Sequence, residues 1–323
     1  MPFDSSELAW ATEIVAKHMA PTPQYVWPLI CELAGAEVWV KHENHTPIGS
    51  FKVRGGLVYF ERLRNERPEI KGIITATRGN HGQSMAFAGR AVGVEVVIVV
   101  PKGNNPDKNA SMRSLGAELV EHGHDFQESV EFAQALGVER GLEMVSPYHP
   151  DLVLGVATYS KELFDAAGEL DVVYVPVGMG SGICGMLNVR DLLGFKTEVV
   201  GVVAKEAPAT ALSFAAGHLV STDTANTFID GVAVRTPNSE AISLIISGAS
   251  RILKISEDEA AEAMREIYRT THNVAEPAGA LAFAGLRADR DLVHGKRVGI
   301  IHSGGNADTK HLVEVLGGHT PAP

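Results

Sequence analysis

The sequence contains few cysteines, and their spacing excludes one class of protein. Only two occur among the 323 residues, Cys31 and Cys184. They form no CxxC pair, and two cysteines cannot build the disulfide framework of a small secreted protein. This cysteine usage is typical of a reducing compartment, so we expect the chain to be cytoplasmic.

Long apolar runs and an excess of positive charge are also missing. No stretch approaches the ~18 uninterrupted apolar residues of a membrane span, and residues 1–10 do not resemble a secretion signal. The formal net charge is −11, whereas nucleic-acid-binding domains usually carry a positive face. We therefore expect partners that include neither membrane nor nucleic acid, and a small molecule as the substrate.

Apolar segments alternate with amphipathic segments along most of the chain. The apolar segments are rich in β-branched residues throughout, as in strands that are covered on both faces. The alternation predicts an α/β fold with mainly parallel sheets. Strands are predicted over 36–44, 72–77, 94–101, 117–123, 171–177, 197–204 and 296–305, and helices over 50–65, 81–92, 106–115, 125–140, 181–193 and 256–270. Ser50 is the expected N-cap of the first of these helices, and Ser256 with Glu259 fits a capping box before the last.

The strands fall into two groups, which predicts two domains. Residues 72–148 carry their own alternation of strands and helices and form the smaller, substrate-binding domain. Residues 1–71 and 149–323 form the larger domain. Because ligands of open parallel sheets bind beyond the carboxyl ends of the strands, we expect the active site in a cleft between two open, twisted sheets.

The stretch HTPIGSFKVRGG, residues 45–56, places Lys52 among glycines at the start of a predicted helix. A lysine amine is nucleophilic only when it is neutral, and burial or the positive end of a helix dipole lowers its pKa. A solvated helix lysine is far commoner. This stretch alone therefore leaves the role of Lys52 open.

Three other strand ends carry groups that suit a bound ligand. The turn at residues 78–80 offers backbone N–H groups at a helix start, which suit a carboxylate. The run VGMGSGICG, residues 177–185, lets backbone amides converge on a phosphate. Ser303 offers a neutral hydroxyl to a ring nitrogen. Each also has a plain structural alternative, a tight turn or a helix cap.

The glycine run has a second interpretation. GSGICG, residues 180–185, is a literal GxGxxG, and Glu206 follows about 20 residues later, as in a dinucleotide-binding unit. A nicotinamide-dependent dehydrogenase is therefore one alternative, and a non-catalytic amino-acid receptor of two domains is another. Only one interpretation uses all four stretches: a phosphate loop, a lysine, a carboxylate turn and a hydroxyl together describe a pyridoxal phosphate site.

Together these stretches resemble the fold-type II pyridoxal phosphate enzymes, close to the serine/threonine dehydratase and serine racemase family, over residues 20–310. The resemblance rests on SFKVRGG (50–56), TRGNHGQS (77–84), PVGMGSGICG (176–185), FIDGVAV (228–234), NVAEPAGALA (273–282) and HSGGN (302–306). It implies a tryptophan synthase β-like fold, pyridoxal 5′-phosphate as the cofactor, and a homodimer.

The resemblance also implies a role for individual residues. Lys52 is the implied catalytic residue and Schiff-base lysine. The implied cofactor-binding residues are Phe51, Lys52, Asn80, Gly178, Met179, Gly180, Ser181, Gly182, Gly231, Glu276 and Ser303. The implied substrate-binding residues are Thr77, Arg78, Gly79, Asn80, His81 and Tyr148. The cation site of the family has a Glu-x5-Asp pattern, and since Val203 and Ala209 occupy those positions, we expect no metal.

The implied reaction is elimination of water from a 3-hydroxy amino acid, which gives a 2-oxo acid and ammonia. Serine or threonine is the default substrate, and Lys52 is the base that takes the α-proton. Arg78 stands where racemases of the family have a serine that exchanges protons, and an arginine stays charged, so racemisation is the less favoured activity. Arg78 either pairs with a second carboxylate, as in 3-hydroxyaspartate, or pairs within the protein. Phenylserine is a bulkier alternative substrate.

Overall fold

The computed structural model describes residues 3–124 and 126–322. Residues 1, 2, 125 and 323, which the predicted domain and helix limits include, lie outside the described residues. Within that part of the chain, strands and helices alternate as predicted, and we label them in chain order.

The strands are β1 (Gln24–Val26), β2 (Glu37–His42), β3 (Gly72–Ala76), β4 (Glu95–Val100), β5 (Glu118–Glu121), β6 (Glu143–Met144), β7 (Val172–Pro176), β8 (Glu198–Ala204), β9 (Arg251–Ile255) and β10 (Arg297–His302). The helices are α1 (Ser5–Ala16), α2 (Pro28–Ala34), α3 (Lys52–Glu66), α4 (Asn80–Val92), α5 (Pro106–Ser114), α6 (Phe126–Arg140), α7 (Pro150–Ala167), α8 (Ser181–Leu192), α9 (Ala209–Ala216), α10 (Ser239–Gly248), α11 (Glu257–Thr271), α12 (Pro277–Ala288), α13 (Arg290–Val293) and α14 (Thr309–Leu316).

The larger compact unit comprises Met1–Ser5, Pro21–Phe51 and Ala157–Pro323. It holds a six-stranded sheet in the order β1-β2-β10-β7-β8-β9. All neighbouring strands are parallel except β1, which is antiparallel to β2. The central strands β7 and β8 are apolar and almost wholly buried, and helix α12 packs against both. Their near-continuous apolar sequence follows from this burial on both faces.

The smaller compact unit comprises Ser6–Ala20 and Lys52–Val156. Its four-stranded sheet has the order β5-β4-β3-β6, and every pair is parallel. Helix α6 packs against β3 and β4, and Ile74, Val97 and Ala133 lie in its apolar core. The prediction of an α/β fold with mainly parallel sheets is confirmed in both units.

The limits of the compact units differ from the predicted domain limits at helix α1, at helix α3 and at the start of α7. These three segments belong to the smaller unit, whereas the prediction placed residues 1–71 and the chain from 149 onward in the larger domain. A Cβ added at Gly55 would lie 2.8 Å from the carbonyl oxygen of Leu152, and one at Gly56 would lie 2.8 Å from that of Ser84. These glycines let α3 pack directly on α7 and α4, which draws α3 into the smaller unit.

One of the two predicted helix caps is confirmed. Ser256 and Glu259 form the expected capping box at the start of α11. The prediction for Ser50 was wrong: it forms a β-bridge with Gly304, and its buried hydroxyl has no hydrogen-bond partner among the described residues. Helix α3 begins two residues later, at Lys52 itself.

Candidate cofactor and substrate site

The loop that precedes Lys52 is held by the turn that follows β10. Ser50 and Gly304 form an antiparallel bridge, and the N–H of Phe51 donates to the carbonyl oxygen of Ser303 at 3.1 Å. The two sequence stretches that carry the lysine and the serine are thus joined by backbone hydrogen bonds. This pairing fixes the residue directly before Lys52.

Further contacts fix the same loop from its other end. The Gly305 N–H donates to the carbonyl oxygen of Gly49 at 2.9 Å, and the Asn306 side-chain amide donates to that of Ile48 at 2.8 Å. Gly49 has a φ of 69°, and a Cβ there would lie 2.6 Å from Oδ1 of Asn306. Only glycine meets both conditions, which explains its place in this turn.

Lys52 is the first residue of α3 and is half-buried. The Ser84 hydroxyl donates to its carbonyl oxygen at 2.6 Å, so the backbone of the lysine is anchored to α4. The charge of Lys52 also acts on His81 in the first turn of α4. Burial, and then that charge, lowers the pKa of His81 to about 3. His81 is therefore neutral at ordinary pH.

Three of the six predicted substrate residues, Thr77, Gly79 and Asn80, lie at the junction of β3 and α4. Thr77 is tied to β4, because its N–H donates to the carbonyl oxygen of Val99 at 3.1 Å. Its hydroxyl in turn accepts a hydrogen bond from the N–H of Gly79 at 3.2 Å. Gly79 is the N-cap of α4, which begins at Asn80, and no side chain caps the helix. The first N–H groups of α4 are therefore suited to hold a carboxylate.

The remaining predicted substrate residues differ in burial. His81 is 5 % exposed, and its Nε2 has no hydrogen-bond partner among the described residues. Arg78 is exposed. Tyr148 is buried in the segment between β6 and α7, and its contact with a substrate stays a prediction.

The turn between β7 and α8 is crowded by backbone. A Cβ added at Gly178 would lie 2.6 Å from the carbonyl oxygen of Gly231, which brings these two predicted cofactor residues together. Gly180, the N-cap of α8, has a φ of 101°, and a Cβ there would lie 2.8 Å from that of Ala241. No side chain caps α8. The turn thus offers backbone N–H groups at a helix start, which fits the phosphate of the cofactor.

Tyr159 links this turn to the lysine loop and was not predicted from the sequence. It is buried on α7, and its hydroxyl donates to the carbonyl oxygen of Gly182 at 3.1 Å. Its ring packs edge-to-face with that of Phe51, with 6.1 Å between centroids. A single tyrosine in an apolar segment has no chemical signature, and α7 was not among the predicted helices.

Ser303 and Glu276 lie at the turn after β10. The Glu276 N–H donates to the carbonyl oxygen of Gly304 at 3.0 Å, and a Cβ at Gly304 would lie 2.5 Å from Oε1 of Glu276. Ser303 is buried, and the cap of the following helix α14 is Asp308. The alternative that Ser303 caps that helix is therefore wrong.

Two buried histidines lie at the ends of β10 and β2: His302 directly precedes Ser303, and His42 is the strand partner of His302. The Trp27 indole N–H donates to Nε2 of His42 at 2.9 Å, which leaves the His42 proton on Nδ1. Burial, and then the neighbouring His45, lowers the pKa of His42 to about 4. Burial, and then His42, lowers the pKa of His302 to about 3. Both rings are neutral at ordinary pH, so they add no charge beside the serine.

Neither a metal centre nor a membrane segment is found in the part of the chain that the structure describes. No group of three or more His, Cys, Asp or Glu side chains there is placed to hold a metal ion. None of its helices is long and apolar enough to span a bilayer.

A lysine anchored at a helix start, an uncapped glycine turn and a buried serine are the parts that a pyridoxal phosphate site requires. The family model for pyridoxal-phosphate dependent enzymes matches residues 15–304, and the chain belongs to this family. It is an enzyme with the fold of type II, and its cofactor is pyridoxal 5′-phosphate.

Its relatives include enzymes with several substrates. An L-threo-3-hydroxyaspartate ammonia-lyase of Saccharomyces cerevisiae is 29% identical, with 97% of this chain and 96% of the relative covered. A serine racemase of Schizosaccharomyces pombe is 30% identical, with 96% of each chain covered. The structure of the processed threonine deaminase isoform 2 of Solanum lycopersicum matches with a TM-score of 0.89 at 28% identity, covering 97% of this chain and 94% of the other.

Proposed function

We propose that the chain is an ammonia-lyase that eliminates water from a 3-hydroxy amino acid and releases a 2-oxo acid and ammonia. The observation that carries this proposal is the backbone pairing of the lysine loop with the Ser303 turn. It joins the loop before the lysine to the turn that holds the serine, and these two residues would bind the cofactor covalently and at its ring nitrogen. The names of the yeast ammonia-lyase and the tomato threonine deaminase support the same reaction class.

The predicted cofactor-binding residues would each contact a different part of the cofactor. In this proposal Lys52 would bind the cofactor covalently, and the backbone of residues 178–182, supported by Gly231, would hold its phosphate. Ser303 would bind the ring nitrogen, and Phe51 and Glu276 would lie near the ring. When bound, the cofactor withdraws electrons from the α-carbon of the amino acid.

Other groups of the protein remove the α-proton and bind the α-carboxylate of the substrate. The amine of Lys52, released when the substrate binds, takes the α-proton as general base. The N–H groups at the start of α4, with Asn80 and the Thr77 hydroxyl, bind the α-carboxylate and so orient the α-carbon. The neutral His81 leaves this turn without an additional positive charge of its own.

Racemisation is the second candidate function, because the fission-yeast relative is named a serine racemase. Arg78 disfavours it, since a guanidinium keeps its proton at all ordinary pH values and cannot exchange it with an α-carbon.

We also propose that the enzyme is cytoplasmic and forms a homodimer. The scarcity of cysteine supports the compartment, and the family resemblance supports the dimer, which sedimentation would test.

The proposed reaction is tested with purified enzyme and a panel of serine, threonine, phenylserine and the 3-hydroxyaspartate isomers. We expect a yellow protein, with 2-oxo acid and ammonia formed in equal amounts from at least one of these. Inverted enantiomer without 2-oxo acid would instead identify a racemase. A colourless protein that binds a nicotinamide cofactor would contradict the proposal.

A further inference from the structure

Arg78 differs from most arginines of the smaller unit. It lies directly before the N-cap of α4, is exposed, and makes no hydrogen bond or ion pair with any described residue. Most exposed or partly exposed arginines of this unit have an acidic partner. Those ion pairs are Arg62 with Asp151, Arg67 with Glu143, Arg113 with Glu121, and Arg140 with Glu118. No described residue therefore forms the ion pair with Arg78 that the second alternative requires.

The position of Arg78 is electrostatically unfavourable without an anion. The start of a helix carries the positive end of its dipole, so a cation there is destabilising. The first turn of α4 contains no acidic residue that would offset this. Arg90 also has no ion pair with a described residue, but it lies in the last turn of α4, where the dipole favours a cation. An anionic partner would therefore stabilise Arg78 more than it would stabilise Arg90.

His81, in the first turn of α4, adds hydrogen-bonding capacity beside Arg78. Burial, and then the charge of Lys52, lowers the pKa of His81, so its ring is neutral. His81 is more than nine-tenths buried, and its Nε2 has no partner among the described residues, so this turn has unused hydrogen-bonding capacity. One substrate carboxylate is accommodated by the N–H groups of α4. The guanidinium of Arg78 is then left for a second one.

We propose that the substrate is a dicarboxylic 3-hydroxy amino acid, whose second carboxylate binds Arg78. The inference rests on the proposed function and names its substrate class. A guanidinium suits this task because its parallel N–H groups bind both oxygens of a carboxylate. The smallest such substrate is 3-hydroxyaspartate, in which the α- and β-carbons separate the two carboxylates.

The reaction balances without an oxidant or reductant. The Cα–H bond breaks and the proton passes to the amine of Lys52, which then gives a proton to the hydroxyl as the Cβ–O bond breaks, so that the hydroxyl leaves as water. The unsaturated amino acid then takes up one water and releases ammonia. The net conversion is 3-hydroxyaspartate to oxaloacetate and ammonia.

The first test compares substrates in Arg78→Ala, Arg78→Lys and the control Arg90→Ala. In the unaltered enzyme we expect a higher kcat/KM for 3-hydroxyaspartate than for serine. Losing a bidentate charged pair in Arg78→Ala should lower the ratio of the two kcat/KM values by about 10- to 100-fold, mainly through KM. Arg78→Lys should restore part of it, and Arg90→Ala should leave it unchanged. An equal ratio in Arg78→Ala and the unaltered enzyme would overturn the proposal.

The second test measures binding without turnover. Calorimetry of the holoenzyme with succinate, against butyrate as the monocarboxylate of equal length, should show tighter succinate binding that Arg78→Ala abolishes. Should no hydroxy amino acid be converted, the proposed function would fail, yet succinate binding that depends on Arg78 would still support a dicarboxylate site. Succinate binding that is absent, or the same in Arg78→Ala, would overturn the inference while leaving the elimination reaction intact.

Discussion

The two strand–turn–helix junctions, β3–α4 and β7–α8, share a backbone plan but differ in their side chains. Each joins a buried parallel strand to a helix whose start has no side-chain cap and no acidic residue in its first turn. Residues 77–81 carry a hydroxyl, a guanidinium, an amide and an imidazole, whereas residues 178–182 carry three glycines, Met179 and Ser181.

In the proposed function the two junctions bind an anion at a helix start in two different ways. At β7–α8 the contacts would come from the main chain, which suits a group that never varies, such as a phosphate. At β3–α4 the side chains add charge, shape and hydrogen bonds, and these can distinguish one amino acid from another. We expect changes at the first junction to affect cofactor binding and changes at the second to affect substrate choice.

Replacing Lys52 should have the largest effect, because it removes the nucleophile and base of the reaction and leaves both junctions in place. Lys52→Ala should lower 2-oxo acid release by more than about 10³-fold, since no other residue replaces a lost nucleophile and base. Borohydride should fix the cofactor to the peptide that contains Lys52 in the unaltered enzyme and not in the variant. Lys102→Ala, at an exposed position, is the control. Normal turnover by Lys52→Ala would contradict the assignment.

Gly178→Ala should have a smaller effect, confined to the cofactor. The added methyl group would lie 2.6 Å from the Gly231 carbonyl oxygen, and such overpacking costs about 1–3 kcal/mol in distorted backbone. We expect weaker cofactor binding in an absorbance titration, with the substrate ratio unchanged at saturating cofactor.

The control for Gly178→Ala is Gly248→Ala in the same unit. Its added methyl group would meet only side-chain atoms, the nearest at 3.1 Å on Leu187, which can move. Equal cofactor affinity in both variants would show that the close approach of Gly178 and Gly231 does not shape the phosphate turn.

The smallest effect at neutral pH is expected from His81→Gln, and it concerns the pH dependence of stability. The pKa of His81 is lowered to about 3, mainly by burial, so below pH 6.5 the unfolded chain binds a proton that the folded chain does not. The folded protein therefore loses about 1.4 kcal/mol per pH unit as the pH falls from 6.5 toward 3. Urea unfolding at several pH values should show a shallower pH dependence in His81→Gln. If the pH dependence of the free energy of unfolding were the same in His81→Gln, in the exposed control His18→Gln and in the unaltered protein, this prediction would be contradicted.

Much of the architecture was predictable because buried parallel strands are apolar throughout. β3, β4, β7 and β8 all lie inside their predicted ranges. β1 and β6 were not predicted, since strands of three and two residues are too short to show a period. β9 was also missed, because it is an edge strand that is only partly buried and mixes charged with apolar residues.

The candidate site was predictable where chemistry limits the choice of residue. Glycine at 178 and lysine at 52 follow from backbone approach and from nucleophilicity, so both are visible in the sequence. Tyr159 was not predicted, because its contacts with Phe51 and Gly182 depend on how a helix packs. The wrong cap assignment of Ser50 has a similar cause, since its pairing with Gly304 joins residues far apart in the chain.

The close approach of Gly178 and Gly231 has a consequence for how this position can vary. Gly178 does not need the left-handed region, so what excludes other residues is space alone. Every replacement adds at least one carbon, and the shortest addition already meets the opposing carbonyl group. No conservative substitution therefore exists, and the position can change only together with the path of the facing chain at Gly231.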